Sequence, residues 1–490
     1  MLACPEDDCD NECQKESDKL PNPRKVSTQV AEDMDRQDTR LSLMAVFFGQ
    51  FLDHELALSP EHEVEESCCE APANGETKDE ECFEILIPPD DPFYASLNQS
   101  CIHLTRSEPH SSSGWPPSID REQQNIVTSF LDGSNIYGST AERSKRIRSM
   151  VKGKLKVMDE YNLLPEENFQ RCSVPIAGDE RAMENPMLGS IHALFVREHN
   201  RICDHLWPMI DWTQYGNSVC DNDECDELMY QNARRVLIAE WQNIIYNEWL
   251  PLILGKSRIS EFNLNLHSDS VYGRTIDPSI LVSFTTAAFR FGHSMVSGIF
   301  SKNSINNGDT VEQITLSDSF FNADEYRKNG MEMILAGLQT DKAQSMDRFV
   351  SMQLTNFLFK DTDGPSEPLF GQDLISRNIA RGRDHGLPGY AKFYERFGPQ
   401  TDPNRFMKCW DERPQAFDPN EWNLLKEIYI HPKDIDLFVG GLLEKRIPNE
   451  GILGPIFGYI VAEQFRRLKD GDRFFFTHKG ICDFLSYKRT

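Results

Sequence analysis

Three polar side chains interrupt the most apolar stretch of the sequence, and they are the first candidates for chemistry. Gln50, Asp53 and His54 lie in the run from residue 44 to residue 58, MAVFFGQFLDHELAL. At spacings of three and four residues, they would share one face of a helix. A carboxylate and an imidazole inside an apolar helix cost free energy unless the core uses them. A lone histidine there would indicate a hydrogen-bonded core residue, but three polar groups on one face predict a site.

A second histidine interrupts another apolar run much later in the chain. His293 follows Gly292 within the largely apolar run 279–300. A glycine at this position would let a flat group approach the backbone closely. Two helices that each present a histidine to an apolar core could hold a planar cofactor, with one imidazole ligating iron and the other acting on a small molecule. Haem fits that arrangement, although a buried metal site with two histidines would give the same pattern.

An arginine-rich segment and an oxygen-rich loop complete the chemical features. Segment 377–386, RNIARGRDHG, carries four basic side chains that need anions, either carboxylates of the protein or those of a ligand. Loop 128–138 alternates oxygen-bearing residues, and Ca²⁺ takes about six to eight oxygen ligands. That loop supplies too few charges alone, so Glu55 is a candidate for a further carboxylate. The alternative is a plain Asp-Gly-Ser turn.

The elements that must position these residues are mainly helical. Apolar periodicity predicts helices over 37–58, 187–200, 228–254, 279–300 and 454–468, and strand signals are few. Residues 59–125 read as a long loop region tied by disulfides, and His192 and His199 read as structural residues. We therefore expect a mainly α fold: a polar, disulfide-tied N-terminal segment over 1–36, followed by one large multi-helical domain over 37–490 with very little β structure.

Composition restricts the partners and the compartment. A net charge of -27 and a pI near 4.9 argue against nucleic acid and anionic membranes, and no apolar stretch has the length of a membrane span. Thirteen cysteines in mostly polar segments predict disulfides and an oxidising compartment, and the odd number leaves one free or paired with another chain. Asn98 begins a glycosylation sequon. The first residues do not resemble a signal peptide, so we expect the true N-terminus to be missing.

Six motifs, taken in order along the chain, resemble those of the animal haem peroxidases. They run from residue 49 to the last third of the sequence and cover most of it. The matching segments are 49–54 (GQFLDH), 128–134 (TSFLDGS) with 136–138 (IYG), 177–181 (AGDER) with Glu184, 197–200 (REHN), 289–293 (FRFGH) and 378–390 (NIARGRDHGLPGY). The resemblance implies that family's multi-helical domain and a haem b cofactor.

The resemblance also implies a role for each matched residue. The catalytic residues would be His54, Arg181 and Gln50. The cofactor-binding residues would be His293 as the iron ligand, Asn378 accepting a hydrogen bond from its other ring nitrogen, Asp53 and Glu184 as ester links to haem methyl groups, and Arg290 and Arg381 near the propionates. The calcium ligands would be Glu55, Thr128, Phe130, Asp132 and Ser134.

Two residues depart from the family pattern. Glu55 stands where the family usually has aspartate, and its extra methylene group can still reach calcium. Asn185 stands where one branch of the family has a methionine bonded to the haem. That link would be absent, which implies less capacity to oxidise chloride.

The function implied is that of a secreted peroxidase. It would reduce H₂O₂ and oxidise phenols, protein tyrosines, or halides and thiocyanate. One alternative is a haem fatty-acid dioxygenase, which would need a tyrosine beside the haem and a lipid channel. Another is an adhesion or matrix protein on a degenerate scaffold. The sequence contains neither Arg-Gly-Asp nor Lys-Gly-Asp, and every catalytic position is filled, so the enzyme is favoured.

Overall fold

The structure is a computed structural model, and it describes residues 20–70, 79–113, 120–158, 160–169, 172–215, 223–266, 270–327, 330–360, 369–447 and 450–479. Within these ranges the chain is mainly helical, which confirms the predicted fold class. The α-helices are α1 (Pro23–Val30), α2 (Leu43–Leu56), α3 (Ser134–Tyr137), α4 (Ala141–Ile147), α5 (Pro186–Leu206), α6 (Asp223–Ile244), α7 (Leu250–Glu261), α8 (Val282–Thr286), α9 (Leu316–Ser319), α10 (Gly330–Thr340), α11 (Met352–Thr355), α12 (Leu374–Asp384), α13 (Tyr390–Phe397), α14 (Pro419–Ile428), α15 (Leu437–Leu443) and α16 (Pro455–Asp470).

The strands are short and form antiparallel pairs at the margins of the helical core. The strands are β1 (Gln37–Ser42), β2 (Ile85–Leu86), β3 (Cys101–Ile102), β4 (Glu166–Phe169), β5 (Cys172–Pro175), β6 (Ile299–Asn303), β7 (Thr310–Thr315) and β8 (Lys342–Gln344). The pairs are β1 with β8, β2 with β3, β4 with β5, and β6 with β7. The strands of the described residues therefore form four short antiparallel pairs and no larger sheet.

Helix α2 lies at the centre of the core because nearly every residue in it is apolar. It packs against α5, against α10 and against the 3₁₀ helix Ala288–Met295 that carries His293. Phe51 is fully buried between the rings of Phe195 and Trp241. Helix α5 begins where its sequence predicts, since the Asn185 side chain accepts from the Leu188 N–H and Pro186 occupies the first turn.

Several predicted elements have different bounds in the structure. The predicted helix 228–254 is part of a longer helical run made of α6, the π-helix Ile245–Trp249 and α7. Residues 37–42 form β1 rather than the first turns of a helix, and α2 begins only at Leu43. The run 279–300 is divided into α8, the 3₁₀ helix Ala288–Met295 and β6, so His293 does not lie on a long α-helix. Residues 23–30, which we expected in an extended polar segment, form helix α1 instead.

Helix α1 is fixed to the domain by a buried ionic cluster. The Arg24 guanidinium donates to the carboxylates of Asp91 and Asp373 at 2.7 and 2.8 Å, and all three side chains are buried. Asp373 also caps the N-terminus of α12, the helix that carries the predicted haem-site residue Asn378. The N-terminal helix is thereby joined to the element behind the candidate site.

Disulfides tie the long loop region, as the sequence predicts. Cys68 bonds to Cys82 and Cys69 bonds to Cys101. Cys203 is a buried free thiol, and Cys409 is free and half-buried. The predicted disulfide cysteines Cys4, Cys9, Cys13 and Cys220 lie outside the described residues. In the part of the chain that the structure describes, no helix combines the length and hydrophobicity of a membrane span.

Candidate active site

One cavity brings the predicted haem-site residues together. Its volume is about 350 Å³, and its wall includes both His54 from α2 and His293 from the 3₁₀ helix. The other predicted site residues in its wall are Gln50, Asp53, Arg181, Glu184, Arg290 and Arg381. Apolar side chains complete the wall, among them Trp249, Phe289 and Phe320. The cavity therefore combines an apolar surface with a small set of convergent polar groups, as ligand sites do.

His54 is buried on α2 with one ring nitrogen left unpaired. Its Nδ1 atom has no hydrogen-bond partner and lies 3.9 Å from Oδ1 of Asp179. Its Nε2 atom lies 4.0 Å from Oε2 of Glu184. Burial, together with the positive charge of Arg181, holds the pKa of His54 well below its usual value. The imidazole is therefore neutral and can accept a proton.

Arg181 is held in a fixed position by five hydrogen bonds. The Arg181 backbone N–H and the guanidinium Nε both donate to Oδ1 of Asp179, at 2.8 and 2.9 Å, and Nη2 donates to Oδ2 at 2.8 Å. The guanidinium also donates to the backbone carbonyls of Ala57 and His54, at 3.0 and 3.2 Å. The ion pair with Asp179 balances the buried charge and lowers the pKa of that carboxyl to about 2.

Gln50 and Glu184 form a second polar group beside His54. Nε2 of Gln50 donates to Oε1 of Glu184 at 3.0 Å, and Oε1 of Gln50 accepts from the Asn185 amide at 3.0 Å. Burial raises the pKa of Glu184 to about 7 and the pKa of Asp53 to about 6. Asn185 thus fixes the orientation of the Gln50 amide, while its own carbonyl oxygen caps α5.

His293 contacts Asn378 as expected, but the hydrogen bond runs in the opposite direction. The Asn378 amide nitrogen lies 2.8 Å from Nδ1 of His293 and donates to it, because Oδ1 of Asn378 already accepts from the Arg290 guanidinium at 2.7 Å. We expected Asn378 to accept instead. Burial lowers the pKa of His293 to about 3, so the ring is neutral.

The arginines of α12 meet a carboxylate of the protein. Glu61 accepts from both Arg377 and Arg381, at 2.7 and 2.6 Å, and all three residues line the cavity. Arg381 also donates to the carbonyl of Thr105 and to the carboxylate of Asp384. Of the two alternatives left open for this segment, the protein carboxylate is the one seen here.

Glu55 and the oxygen-rich loop lie together, as the calcium prediction requires. The Glu55 carboxylate accepts from the backbone N–H groups of Gly133 and Asn135, at 2.6 and 3.0 Å. Gly133 has a φ of 74°, a conformation that favours glycine, and this directs its N–H towards Glu55. Burial and the nearby Asp132 raise the pKa of Glu55 to about 8.

The other predicted calcium ligands in the loop, Thr128, Phe130 and Ser134, make fewer contacts with the carboxylates of Glu55 and Asp132. Thr128 donates its hydroxyl to Asp132 at 2.8 Å, and the Ser134 hydroxyl donates to the Glu55 backbone carbonyl at 3.1 Å. Phe130 makes no hydrogen bond with this group. Among the residues described here, no set of three or more His, Cys, Asp or Glu side chains could hold a metal ion, so backbone and hydroxyl oxygens would have to complete the coordination.

Two residues of the site were missed in the sequence. Asp179 was read only as part of a motif, although its spacing of two residues from Arg181 is typical of a carboxylate that caps a short helix. Glu61 lies in the long loop region, and no local pattern joins it to α12, more than 300 residues away. Only the first of the two carried a signal in the sequence.

Comparison with known proteins agrees with this geometry. Residues 4–486 match the family described as animal haem peroxidase, and the chain belongs to that family. A chorion peroxidase of Aedes aegypti is 33% identical over 94% of this chain and 57% of its own length. The chain thus spans a little over half the length of this curated relative.

Solved structures share the fold. Peroxidase A from Dictyostelium discoideum is 28% identical, with a TM-score of 0.76 over 96% of this chain and 87% of that one. A fatty acid alpha-dioxygenase of Arabidopsis thaliana is 22% identical, with a TM-score of 0.70 over 93% of this chain and 70% of that one. The second similarity concerns the fold alone.

Proposed function

We propose that this chain is a haem-dependent peroxidase that reduces H₂O₂ and oxidises phenolic, tyrosine, or halide and thiocyanate donors. The observation that carries the proposal is a pair of neutral histidines, the buried His54 and the partly buried His293, on separate elements in the wall of one cavity. Arg181, fixed beside His54, supplies the positive charge that peroxide cleavage requires.

The residues of the cavity fit a haem group. His293 is partly buried, its hydrogen bond to Asn378 uses Nδ1 rather than Nε2, and a Cβ atom added at the neighbouring Gly292 would meet no atom within 4 Å. That open space beside an imidazole suits a flat macrocycle, and Arg290 and Arg381 could neutralise its propionates. A haem bound there would supply an iron atom that exchanges electrons with peroxide.

We assign the proton transfers to His54 and the charge stabilisation to Arg181. The neutral His54 imidazole takes a proton from one oxygen of hydrogen peroxide and returns it to the oxygen that leaves. Arg181 donates hydrogen bonds to the oxygen on which negative charge develops. Gln50, whose amide is fixed by Asn185, directs its N–H groups towards Glu184 and holds a water molecule or a halide.

Asn378 needs to rotate its amide for His293 to ligate iron. A ligating Nε2 must be free of a proton, so the proton sits on Nδ1 and needs an acceptor. A half-turn of the Asn378 amide would present Oδ1 to that proton. Arg290, which donates to Oδ1 of Asn378 in this structure, would then be free to bind a propionate.

Covalent attachment and calcium belong to the proposal as well. Asp53 and Glu184 face the cavity as carboxyl groups whose pKa values burial raises to about 6 and 7. Each therefore keeps a larger neutral fraction near neutral pH than an exposed carboxyl would, which eases its burial against an apolar ring and its esterification. In the same C-terminal turn of α2, a Ca²⁺ ion beside Glu55 and Asp132 would relieve the repulsion between the buried carboxylate of Glu55 and the partly exposed carboxylate of Asp132.

We infer an extracellular setting from the disulfides and from Asn98. Asn98 is exposed and lies in a left-handed turn, where a glycosyltransferase could reach it. One relative is named chorion peroxidase, and that name refers to an extracellular covering. We retain residues 37–490 as the peroxidase domain, with residues 1–36 as an N-terminal segment that docks on it through Arg24.

The two alternative functions have less support. No tyrosine lines the cavity in the ranges that the structure describes, whereas the dioxygenase hypothesis needs one beside the haem. The scaffold hypothesis expects lost catalytic groups, whereas His54, Arg181 and His293 are all present in the cavity wall. The peroxidase is therefore the function that we put to the test.

The test is the reaction of the haem-loaded protein with H₂O₂ in a stopped-flow spectrometer. His54→Ala should lower the second-order rate constant with peroxide by about 10²–10⁴-fold, the usual contribution of general acid–base catalysis, while haem stays bound. His103→Ala, a substitution of a histidine outside the cavity wall, serves as the control. An unchanged rate constant in His54→Ala would reject the assignment.

A further inference from the structure

Asp179 is a buried carboxylate that lies behind the cavity wall, where it contacts the wall residues Arg181 and His54. It is 4% exposed and caps the 3₁₀ helix Glu180–Met183, where its side chain accepts from the Arg181 N–H. The charge of Arg181 and its hydrogen bonds outweigh burial and lower the pKa of Asp179 to about 2, so the carboxyl is ionised near neutral pH. A buried, ionised carboxylate outside the wall of the cavity needs a reason beyond helix capping.

The Asp179 carboxylate forms an ion pair with the Arg181 guanidinium. Nε and Nη2 of Arg181 bind the two carboxylate oxygens at 2.9 and 2.8 Å, a bidentate geometry that fixes the plane of the guanidinium. The remaining donors of that guanidinium reach the carbonyls of Ala57 and His54 on the C-terminal turn of α2. Asp179 is thus joined through Arg181 to the backbone that carries His54.

Its second partner is the His54 ring. Oδ1 of Asp179 lies 3.9 Å from Nδ1 of His54, and that nitrogen is buried with no hydrogen-bond partner. A displacement of about 1 Å, or one bridging water molecule, would complete a hydrogen bond between them. The other ring nitrogen, Nε2, is left for the cavity.

We propose that Asp179 is a positioning residue for His54. Its carboxylate holds the proton of neutral His54 on Nδ1, so that Nε2 faces the substrate as a base. The same carboxylate fixes the orientation of Arg181. Neutral imidazole carries one proton on either nitrogen, and only the Nδ1–H form leaves a lone pair on Nε2. A carboxylate accepts hydrogen bonds and does not donate them, so it stabilises that form alone. The inference rests on the proposed function, because it assigns the group that orients its base.

The test uses ligand binding to the haem-loaded protein rather than turnover. Hydrogen cyanide binds ferric haem as the anion after its proton passes to a nearby base, whereas carbon monoxide binds ferrous haem without any proton transfer. Asp179→Asn keeps the size and the helix cap, but a neutral amide can donate to Nδ1 as well as accept from it, so it no longer favours the Nδ1–H tautomer alone. We expect its cyanide association rate to fall tenfold or more, with the carbon monoxide rate within twofold of the unmodified protein.

Asp226→Asn is the matched control. Asp226 is also buried, and it accepts from an arginine, Arg148, and from a backbone N–H, that of Gly153, but it does not line the cavity. Both of its association rates should remain within twofold. A double variant, His54→Ala with Asp179→Asn, should bind cyanide within threefold of the rate of His54→Ala alone, because Asp179 acts through His54.

The outcomes separate this inference from the proposed function. If His54→Ala binds cyanide slowly and Asp179→Asn loses less than tenfold, Asp179 is not the positioning residue and the proposed function stands. If His54→Ala itself binds cyanide at the unmodified rate, the proposed function fails and this inference with it. If Asp179→Asn does not take up haem, Asp179→Ser replaces it, because serine can cap the short helix but has no carboxylate. A cyanide association rate at least tenfold below that of the unmodified protein supports the inference, and a smaller loss overturns it.

Discussion

His199 should make the fold sensitive to mild acid. It lies fully buried on α5, with Nε2 2.9 Å from the Gly153 carbonyl and Nδ1 2.9 Å from the Tyr137 hydroxyl. A carbonyl only accepts, so Nε2 carries the proton and Nδ1 accepts from the tyrosine. Burial, together with the charges of Arg148 and Arg234, lowers the pKa of His199 to about 4 from its usual 6.5.

The direction of the effect follows from the two pKa values. Above about pH 6.5 His199 is neutral in both the folded and the unfolded chain, so it contributes no pH dependence. Below that pH the unfolded chain binds the proton first, and the free energy of unfolding falls until the folded protein also binds it, near pH 4. Each pKa unit is worth about 1.4 kcal/mol, so the full loss is about 3 kcal/mol.

Urea unfolding, followed by tryptophan fluorescence at several pH values, measures this loss. Between about pH 7.5 and pH 4.5, the free energy of unfolding of the unmodified protein should fall by about 2.5 kcal/mol more than that of His199→Gln. Other buried histidines titrate equally in both proteins and cancel in the difference. His110→Gln, which changes an exposed residue, should run parallel to the unmodified protein. A constant difference between unmodified protein and His199→Gln over this range would refute the reasoning.

Three other predictions concern the N-terminal helix, calcium and the haem links. Arg24→Ala leaves two buried carboxylates unpaired and should lower the free energy of unfolding by about 3–5 kcal/mol, whereas Arg40→Ala, on a half-exposed side chain, should change it by less than about 0.5 kcal/mol. Ca²⁺ added after chelation should raise the unfolding temperature of the unmodified protein but not that of Glu55→Gln, and an equal response in both would remove Glu55 from the site. Acidified organic solvent should extract haem from the double variant Asp53→Asn with Glu184→Gln and leave it attached to the unmodified protein; extraction from both would dismiss the ester links.

The helices were largely predictable from the sequence because their signals are local. The start of α5 follows from the Asn185 cap, the following proline and a strong apolar period, although the helix continues to Leu206, six residues beyond its predicted end. Strand β1 was mistaken for the start of a helix because its partner, β8, lies about 300 residues away, and no local sequence pattern predicts that pairing. Helix α1 was missed because its buried face includes a charged residue, Arg24, whose carboxylate partners are also distant in sequence.

The residues of the site were predictable as a set, but their hydrogen bonds were not. His54, Arg181 and His293 were identified from motifs, and the structure brings them to one cavity. The pairing of Arg381 with Glu61 and the orientation of the Asn378 amide depend on how separate segments approach one another. The sequence shows which hydrogen-bond donors and acceptors are present, whereas the fold determines which of them form hydrogen bonds with one another.

The central claim is that one haem binds in this cavity with His293 as its iron ligand. The most direct measurement is a titration of the purified protein with hemin, followed by the absorption spectrum of the ferric product. The account predicts saturation at one hemin per chain with a histidine-ligated spectrum, and loss of that spectrum in His293→Ala but not in His385→Ala, which alters another histidine of the cavity wall. A protein that binds no hemin, or whose spectrum is the same in His293→Ala, would contradict it.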